Sequence, residues 1–184
     1  MPVWAWIVIA AVVALVILGA IAYYATRRRR TQGLQQRFGP EYDRTVAERG
    51  KRRDAEAELA KREQQREKID IVPLSQRARD RYASYWRDVQ TKFVDEPAGA
   101  VDEADRLVTE VMRERGYPID DFEQRAADIS VDHPEVVQHY RAAHAVYVKK
   151  SDGAGTEELR QGFVHYRELF EDLLETREQE KVRS

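Results

Sequence analysis

The densest group of reactive side chains lies in the segment ADISVDHPEV, residues 127–136. Its titratable members are Asp128, Asp132, His133 and Glu135. An aspartate next to a histidine can orient the imidazole as a general base, and Ser130 is close enough in sequence to be a nucleophile. The same residues also suit a helix start, because Asp132 or His133 can cap the helix that Pro134 begins. We expect capping, and a hydrolase that uses Asp132 and His133 stays as the alternative.

Metal and cofactor binding find little support in the spacing of the remaining residues. Helical zinc sites place two histidines three or four positions apart, whereas His139 and His144 are five apart. Glu135 and His139 have a suitable spacing but need two further ligands from elsewhere. The chain contains no Cys, no phosphate-binding glycine loop and no G-x-S-x-G motif. We therefore predict no catalytic residue, no metal and no cofactor.

The chain begins with a long apolar segment. Residues 3–22 contain no charged side chain, and a helix of 20 residues is long enough to cross the hydrocarbon core of a bilayer. Aromatic side chains flank this run at both ends, as is typical of membrane interfaces. These interfacial residues are Trp4, Trp6, Tyr23 and Tyr24. Residues 1–26 are therefore predicted to be a transmembrane anchor.

Four consecutive arginines, Arg27, Arg28, Arg29 and Arg30, indicate how this anchor is oriented. Arginines close to a membrane helix favour the cytoplasmic side, and they attract anionic lipid. We therefore expect a single-pass protein of the bacterial inner membrane, with its N-terminus outside and its C-terminal part in the cytoplasm. The motif at residues 20–22, Ala-Ile-Ala, leaves an alternative open, in which cleavage after Ala22 releases an exported protein.

Charge divides the rest of the chain into a basic and an acidic part. Residues 25–70 carry 14 Lys and Arg against 9 Asp and Glu, whereas residues 71–184 carry 17 against 24. The basic part adjoins the predicted anchor, so it could also sense anionic lipid. The acidic part argues against nucleic acid as a partner. Lipid and another protein, or a second copy of the chain, are the partners we expect.

Residues 27–72 are predicted to form a basic juxtamembrane segment and a charged stalk helix. Good helix formers dominate after Pro40, and the few apolar residues keep no heptad, which favours a solvated helix over a coiled coil. Acid-first pairs at i,i+4 add support on the helix surface. These pairs are Glu48 with Arg52 and Glu58 with Arg62.

Residues 73–178 show helical periodicity throughout, which predicts a bundle of about five helices, followed by a tail at 179–184. Helix signals include Ser75 as an N-cap, a capping box at Asp120–Glu123, Gly116 beyond a helix end and Thr156 before the last helix. Apolar stripes face the predicted core. One holds Tyr82, Tyr85, Trp86, Val89 and Phe93, and the last helix carries a 4-3 seam of Leu159, Phe163, Tyr166, Phe170 and Leu173. The fold class is therefore all-α.

Three stretches of this part resemble a widespread group of uncharacterised bacterial proteins with an N-terminal membrane segment, a charged stretch and a helical domain. They are YWRDVQTKFVDEPAGAVDEADRLVTEVMRERGYP, FEQRAADISVDHPEVVQHYRAAH and LRQGFVHYRELFEDLL. The resemblance covers about residues 75–175. It implies architecture and membrane location only, because the group has no established activity.

The function that we predict is therefore a membrane-anchored interaction or scaffolding module with no enzymatic activity. A helical core, a charged membrane-proximal stretch and the lack of catalytic spacing favour it. We expect apolar residues left exposed on the seam of the last helix to be the contact surface.

Overall fold

The computed structural model describes the backbone of residues 3–150 and 153–183 and the side chains of residues 15–150 and 153–174. Every regular element in these described residues is an α-helix, which confirms the all-α prediction. Trp4, Trp6 and the tail at 179–184 lie outside the described side chains. In chain order the helices are α1 Val3–Phe38, α2 Pro40–Arg49, α3 Arg52–Arg66, α4 Gln76–Lys92, α5 Pro97–Glu114, α6 Phe122–Asp132, α7 Val137–Lys149 and α8 Thr156–Arg183.

Helices α4 to α8 form a bundle around one apolar core, as the periodicity predicts. Helix α8 packs against both α5 and α7, and α4 packs against α5. Trp86 lies at the centre, with its ring stacked 5.1 Å from that of Phe163 and 4.6 Å from that of Phe170. Such offset aromatic contacts add to the apolar area that the rings bury. Tyr85, which shares the predicted stripe of α4, is instead 48% exposed.

The seam of α8 does not form a docking surface. All five of its apolar side chains are at most 8% exposed, because α5 and α7 cover them within the chain. The expectation that this seam offers exposed apolar residues to a partner is therefore wrong. The 4-3 spacing indicated core packing rather than a free coiled-coil face.

Of the predicted helix N-caps, one is at the expected residue and one is at the next residue. Ser75 caps α4 by accepting a hydrogen bond from the Ala78 amide at 3.1 Å. The cap of α6 lies one residue later than predicted, since Asp121 rather than Asp120 accepts from the Gln124 amide at 2.9 Å. Both side chains are acidic and close to the helix start, so the sequence alone cannot separate them.

Residues 27–72 differ from the predicted single stalk helix. The end of α1, then α2 and α3, form a helical hairpin that packs on α6. Gly39, at a φ of +46°, separates α1 from α2, and Gly50, at +69°, ends α2. The two glycines allow the backbone to turn where other residues would be strained. We call residues 31–66 the N-terminal hairpin.

A small apolar core of its own holds this hairpin together. It comprises Leu34, Phe38, Tyr42, Leu59 and Val131, with Val46 at its edge. Val131 belongs to α6, so this core is shared between the hairpin and the bundle. The predicted pair of Glu58 and Arg62 is formed, with 3.4 Å between Oε1 and Nε. The predicted pair of Glu48 and Arg52 is not, because Gly50 ends α2 between them.

The connector between α3 and α4 passes the end of α5. The Val72 amide donates to the Arg115 carbonyl at 2.8 Å, and the neighbouring Gly116 has a φ of +95°. A Cβ at Gly116 would lie 2.5 Å from the Asp70 carbonyl oxygen. Gly116 therefore ends α5 as predicted, and it also leaves the space in which the connector lies.

In the part of the chain that the structure describes, no helix combines the length and the apolar content required of a membrane span. The predicted anchor overlaps residues 1–14, whose side chains are outside the described set. Tyr23 and Tyr24, by contrast, are described and are 67% and 73% exposed.

Candidate functional site: a buried carboxylate at the hairpin–bundle junction

The four residues of the predicted polar cluster do not form one site. Asp132 is the last residue of α6 and His133 follows it, so neither caps α7, whose N-cap is Val136. The capping prediction is therefore wrong, because α6 extends through Asp132 and the helix beginning at Val137 starts later than Pro134 indicates. Ser130 is buried and donates to the Ala127 carbonyl at 2.6 Å.

Asp132 and His133 contact different helices instead of each other. Asp132 Oδ2 accepts from the Tyr117 hydroxyl at 2.8 Å and forms an ion pair with Arg66 of α3. The Nδ1 atom of His133 contacts the Oδ2 atom of Asp172 on α8. The pairing in which Asp132 orients His133 as a base is therefore not formed. Each residue instead connects the end of α6 to a neighbouring helix.

Asp128 and Glu135 also have separate surroundings. Asp128 is 1% exposed, and its Oδ1 accepts from Gln124 Nε2 at 2.9 Å while its Oδ2 has no hydrogen-bond partner. Burial raises the pKa of Asp128, and the bond from Gln124 offsets this only in part. Glu135 is exposed and lies beside the turn at Gly39, 3.2 Å from the position of a Cβ there.

No group of three or more His, Asp or Glu side chains is arranged to hold a metal within the described ranges. His139 and His165 do meet between α7 and α8, with their Nδ1 atoms 2.9 Å apart. Burial, and then the proximity of His139, lower the pKa of His165. One imidazole therefore donates to the other when both are neutral.

The most unusual side chain of the structure is Glu41, in the first turn of α2. Its carboxylate is fully buried, although buried acids are rare without partners. Pro40 begins α2, so the carboxylate also lies at the positive end of a helix. We call Glu41 and its four donors, Arg44, Arg62, Gln138 and Arg141, the Glu41 cluster.

The four donors fill both carboxylate oxygens of Glu41. Oε1 accepts from Arg62 Nη1 at 2.9 Å and from Arg141 Nη2 at 2.7 Å. Oε2 accepts from Arg44 Nε at 3.0 Å and from Gln138 Nε2 at 2.7 Å. An ionised carboxylate has about four acceptor positions, so none is left for a substrate proton.

These contacts keep Glu41 charged. Burial works to raise the pKa of Glu41, but hydrogen bonds and positive charge from Arg44 and Arg141 outweigh it and lower the pKa. A carboxylate with a lowered pKa is a weak base. The geometry therefore favours a structural role over general-base catalysis.

The arginines of the cluster are themselves neutralised at its edge. Arg44 forms an ion pair with Glu48, Arg62 one with Glu58, and Arg141 one with Glu123. The Arg62 side chain is only 9% exposed and also contacts Ser130 Oγ at 3.4 Å. Helices α2, α3, α6 and α7 therefore meet at one charged centre.

Sequence reasoning did not find the Glu41 cluster. Gln138 and Arg141 lie 97 and 100 positions from Glu41, and no local spacing joins residues so far apart. A single weak signal was present, namely an acid between the apolar residues Phe38 and Tyr42 directly after Gly39-Pro40. Such a position is compatible with an ordinary helix start, so burial could not be inferred from it.

Comparison with known proteins gives no relative. No family model matches the chain, and neither a curated protein nor a solved structure is similar enough to support an assignment. The resemblance to a group of bacterial membrane proteins therefore stays a prediction.

Proposed function

We propose that this chain is a membrane-anchored helical scaffold that interacts with another protein or with a second copy of itself. In this proposal residues 3–22 cross the bacterial inner membrane and the helical body lies at its cytoplasmic face. The N-terminal hairpin fixes the body to the anchor helix, so that the bundle presents its surface at a set distance and angle from the bilayer.

The observation that carries the proposal is the course of α1. This helix does not stop at the arginines but continues to Phe38, whose side chain is fully buried. The helix that begins with the uncharged segment therefore ends inside the folded domain. Glu41 follows three residues later and joins the hairpin to α7. A mobile tether would need no buried residues at this position.

Scaffolding also fits the chemistry of the junction. The fully satisfied carboxylate of Glu41 offers no free acceptor, while its contacts hold helices α2, α3 and α7 together. A body held rigidly loses less entropy on binding a partner than one that must be ordered at that moment. Rigid connection is therefore a functional advantage for a protein whose task is to position something near a membrane.

Topology in living bacteria tests the anchoring half of the proposal. A reporter that is active only in the cytoplasm is fused after Ser184, and one that is active only outside is fused in parallel. We expect a full-length product with cytoplasmic signal. A shortened product with external signal would show cleavage near Ala22, and the scaffold would then be an exported protein.

Photo-crosslinking tests the interaction half. A photoreactive amino acid is placed at Val94, which is 81% exposed, in the full chain in cells. We expect a discrete crosslinked species whose yield falls when Glu41→Gln loosens the junction. The matched control is Glu48→Gln, which removes an acid whose side chain is 49% exposed. The interaction half is refuted if the yield is the same in all three proteins, or if Val94 and other exposed bundle positions give no crosslink.

A further inference from the structure

A polar groove lies where the first part of α1 meets the N-terminal hairpin. It has a volume of about 580 Å³, and α1 and α3 form its walls. Three arginines line it, Arg27 and Arg28 from α1 and Arg52 from α3, together with Thr31 and Glu56. Arg29 and Arg30, although adjacent in sequence, do not line this groove. The four arginines are therefore not equivalent.

Glu56 is the acid that lines the groove, and neighbouring residues of the same fold neutralise it. Glu56 Oε1 accepts from Thr31 at 2.8 Å and from Tyr42 at 3.0 Å, and it lies 3.2 Å from Arg52 Nε. These contacts lower the pKa of Glu56 despite its desolvation. Arg27 and Arg28, in contrast, are exposed and form no ion pair with any described residue. The groove therefore has two arginines available for an anion.

The position of the groove along α1 matches the level of lipid headgroups. Arg27 and Arg28 follow Ala22, the last residue of the apolar run, by five and six positions, which is roughly 8–9 Å along a helix. Headgroup regions occupy a layer of roughly 5–8 Å outside the hydrocarbon core. Arginine side chains reach back along such a helix toward the interface. Tyr24 lines the same groove and suits that interface.

We propose that this groove binds the phosphate of an anionic phospholipid headgroup. Arg27 and Arg28 contact the phosphate oxygens, and Arg52, whose charge is balanced by Glu56, lines the α3 wall of the groove. The inference rests on the proposed membrane anchoring, and it adds a specific lipid class and a specific site. Because Arg52 belongs to α3, the lipid would connect the membrane directly to the folded body.

Lipid binding to the full chain in a mild detergent tests the proposal. A short-chain anionic phosphatidylglycerol is titrated, and bound lipid per chain is counted by native mass spectrometry. We expect one saturable lipid for the natural sequence. Arg28→Gln should weaken it about fivefold, the effect of one basic residue near an anionic group. The matched control Arg30→Gln should leave the saturable site within about twofold, since Arg30 lies outside the groove.

Three results would overturn the proposal. Absence of a saturable lipid and equal weakening by Arg28→Gln and Arg30→Gln would each show only diffuse attraction. Competition by inorganic phosphate at the same concentration as the lipid would show a site for free anions. Arg27→Gln repeats the test independently, because Arg27 makes no contact that folding needs. Stable insertion into neutral phosphatidylcholine vesicles separates the two claims, since anchoring can hold there even if the groove binds nothing.

Discussion

The two cores of this molecule are built on opposite principles. The bundle is held by apolar side chains, with the rings of Trp86, Phe163 and Phe170 stacked at its centre. The junction with the hairpin has only a small apolar cluster and relies on the buried charge of Glu41. Apolar packing tolerates many arrangements, whereas a buried ion with four donors is stable in one. The difference indicates that the bundle supplies stability and the junction supplies a defined geometry.

The largest expected effect is on the bundle. Trp86→Ala removes a side chain that is 5% exposed and stacked on two rings, which should destabilise the protein by about 3–5 kcal/mol. Because this core links α4, α5 and α8, we expect the whole bundle to lose stability together. Urea unfolding followed by far-UV circular dichroism measures the change. Tyr85→Ala on the same helix is the control, since Tyr85 is 48% exposed and should change little.

The next largest effect should be confined to the junction. Glu41→Gln leaves three arginines without their shared carboxylate, and breaking a buried pair in this way costs about 3–5 kcal/mol. We expect faster hydrogen exchange in α2 and α3, while the amides of α5 and α8 stay protected. Uniform exchange across all helices would instead show that hairpin and bundle unfold as one unit. Glu48→Gln again serves as the control.

The stability that Glu41 contributes to the junction should decrease in acid. Since the folded-state pKa of Glu41 is lowered, its contribution is complete above the unfolded value of about 4.5 and is lost as pH falls through the folded-state pKa. The natural hairpin should therefore loosen in acid. The Glu41→Gln variant should lack this component, and a parallel pH dependence in both proteins would argue against the cluster as its source.

These predictions also show why the bundle could be read from the sequence and the junction could not. The seam of α8 repeats every three or four residues, so an apolar face follows from local spacing, whereas its complete coverage by α5 and α7 does not. The partners of Glu41 come from three different helices, and only the fold brings them together. The polar segment containing Asp132 and His133 departs from its predicted capping role for a related reason. Its residues are adjacent in sequence, yet the side chains that they contact, Arg66 and Asp172, belong to distant helices.

A smaller effect is expected at the end of α5. Gly116→Ala introduces a side chain at a φ of +95°, with a Cβ 2.5 Å from a backbone oxygen of the connector. Strain of this kind costs about 1–3 kcal/mol. Thermal unfolding of the variant should show this loss. Gly153→Ala separates the two causes, because Gly153 has a similar φ of +92° but open space around it.

The smallest expected effect is an increase in stability rather than a loss. Asp128 is buried with a raised pKa, so its ionised form opposes folding at neutral pH. Asp128→Asn should therefore stabilise the protein by about 1 kcal/mol at pH 7. The gain should disappear in acid, where the natural aspartate is protonated in the folded and unfolded states alike. A loss of stability at pH 7 would show that the carboxylate charge is needed beside α3.

The central claim is that helix α1 is fixed to the bundle, and a distance measurement tests it most directly. The chain has no cysteine, so Gln36→Cys on α1 and Gln90→Cys on α4, both exposed, give two unique spin-label sites. Double electron–electron resonance on the full chain in nanodiscs should show one narrow distance distribution, which broadens when Glu41→Gln is added. A distribution that is already broad in the natural junction would contradict the claim, and the hairpin would then be a mobile tether.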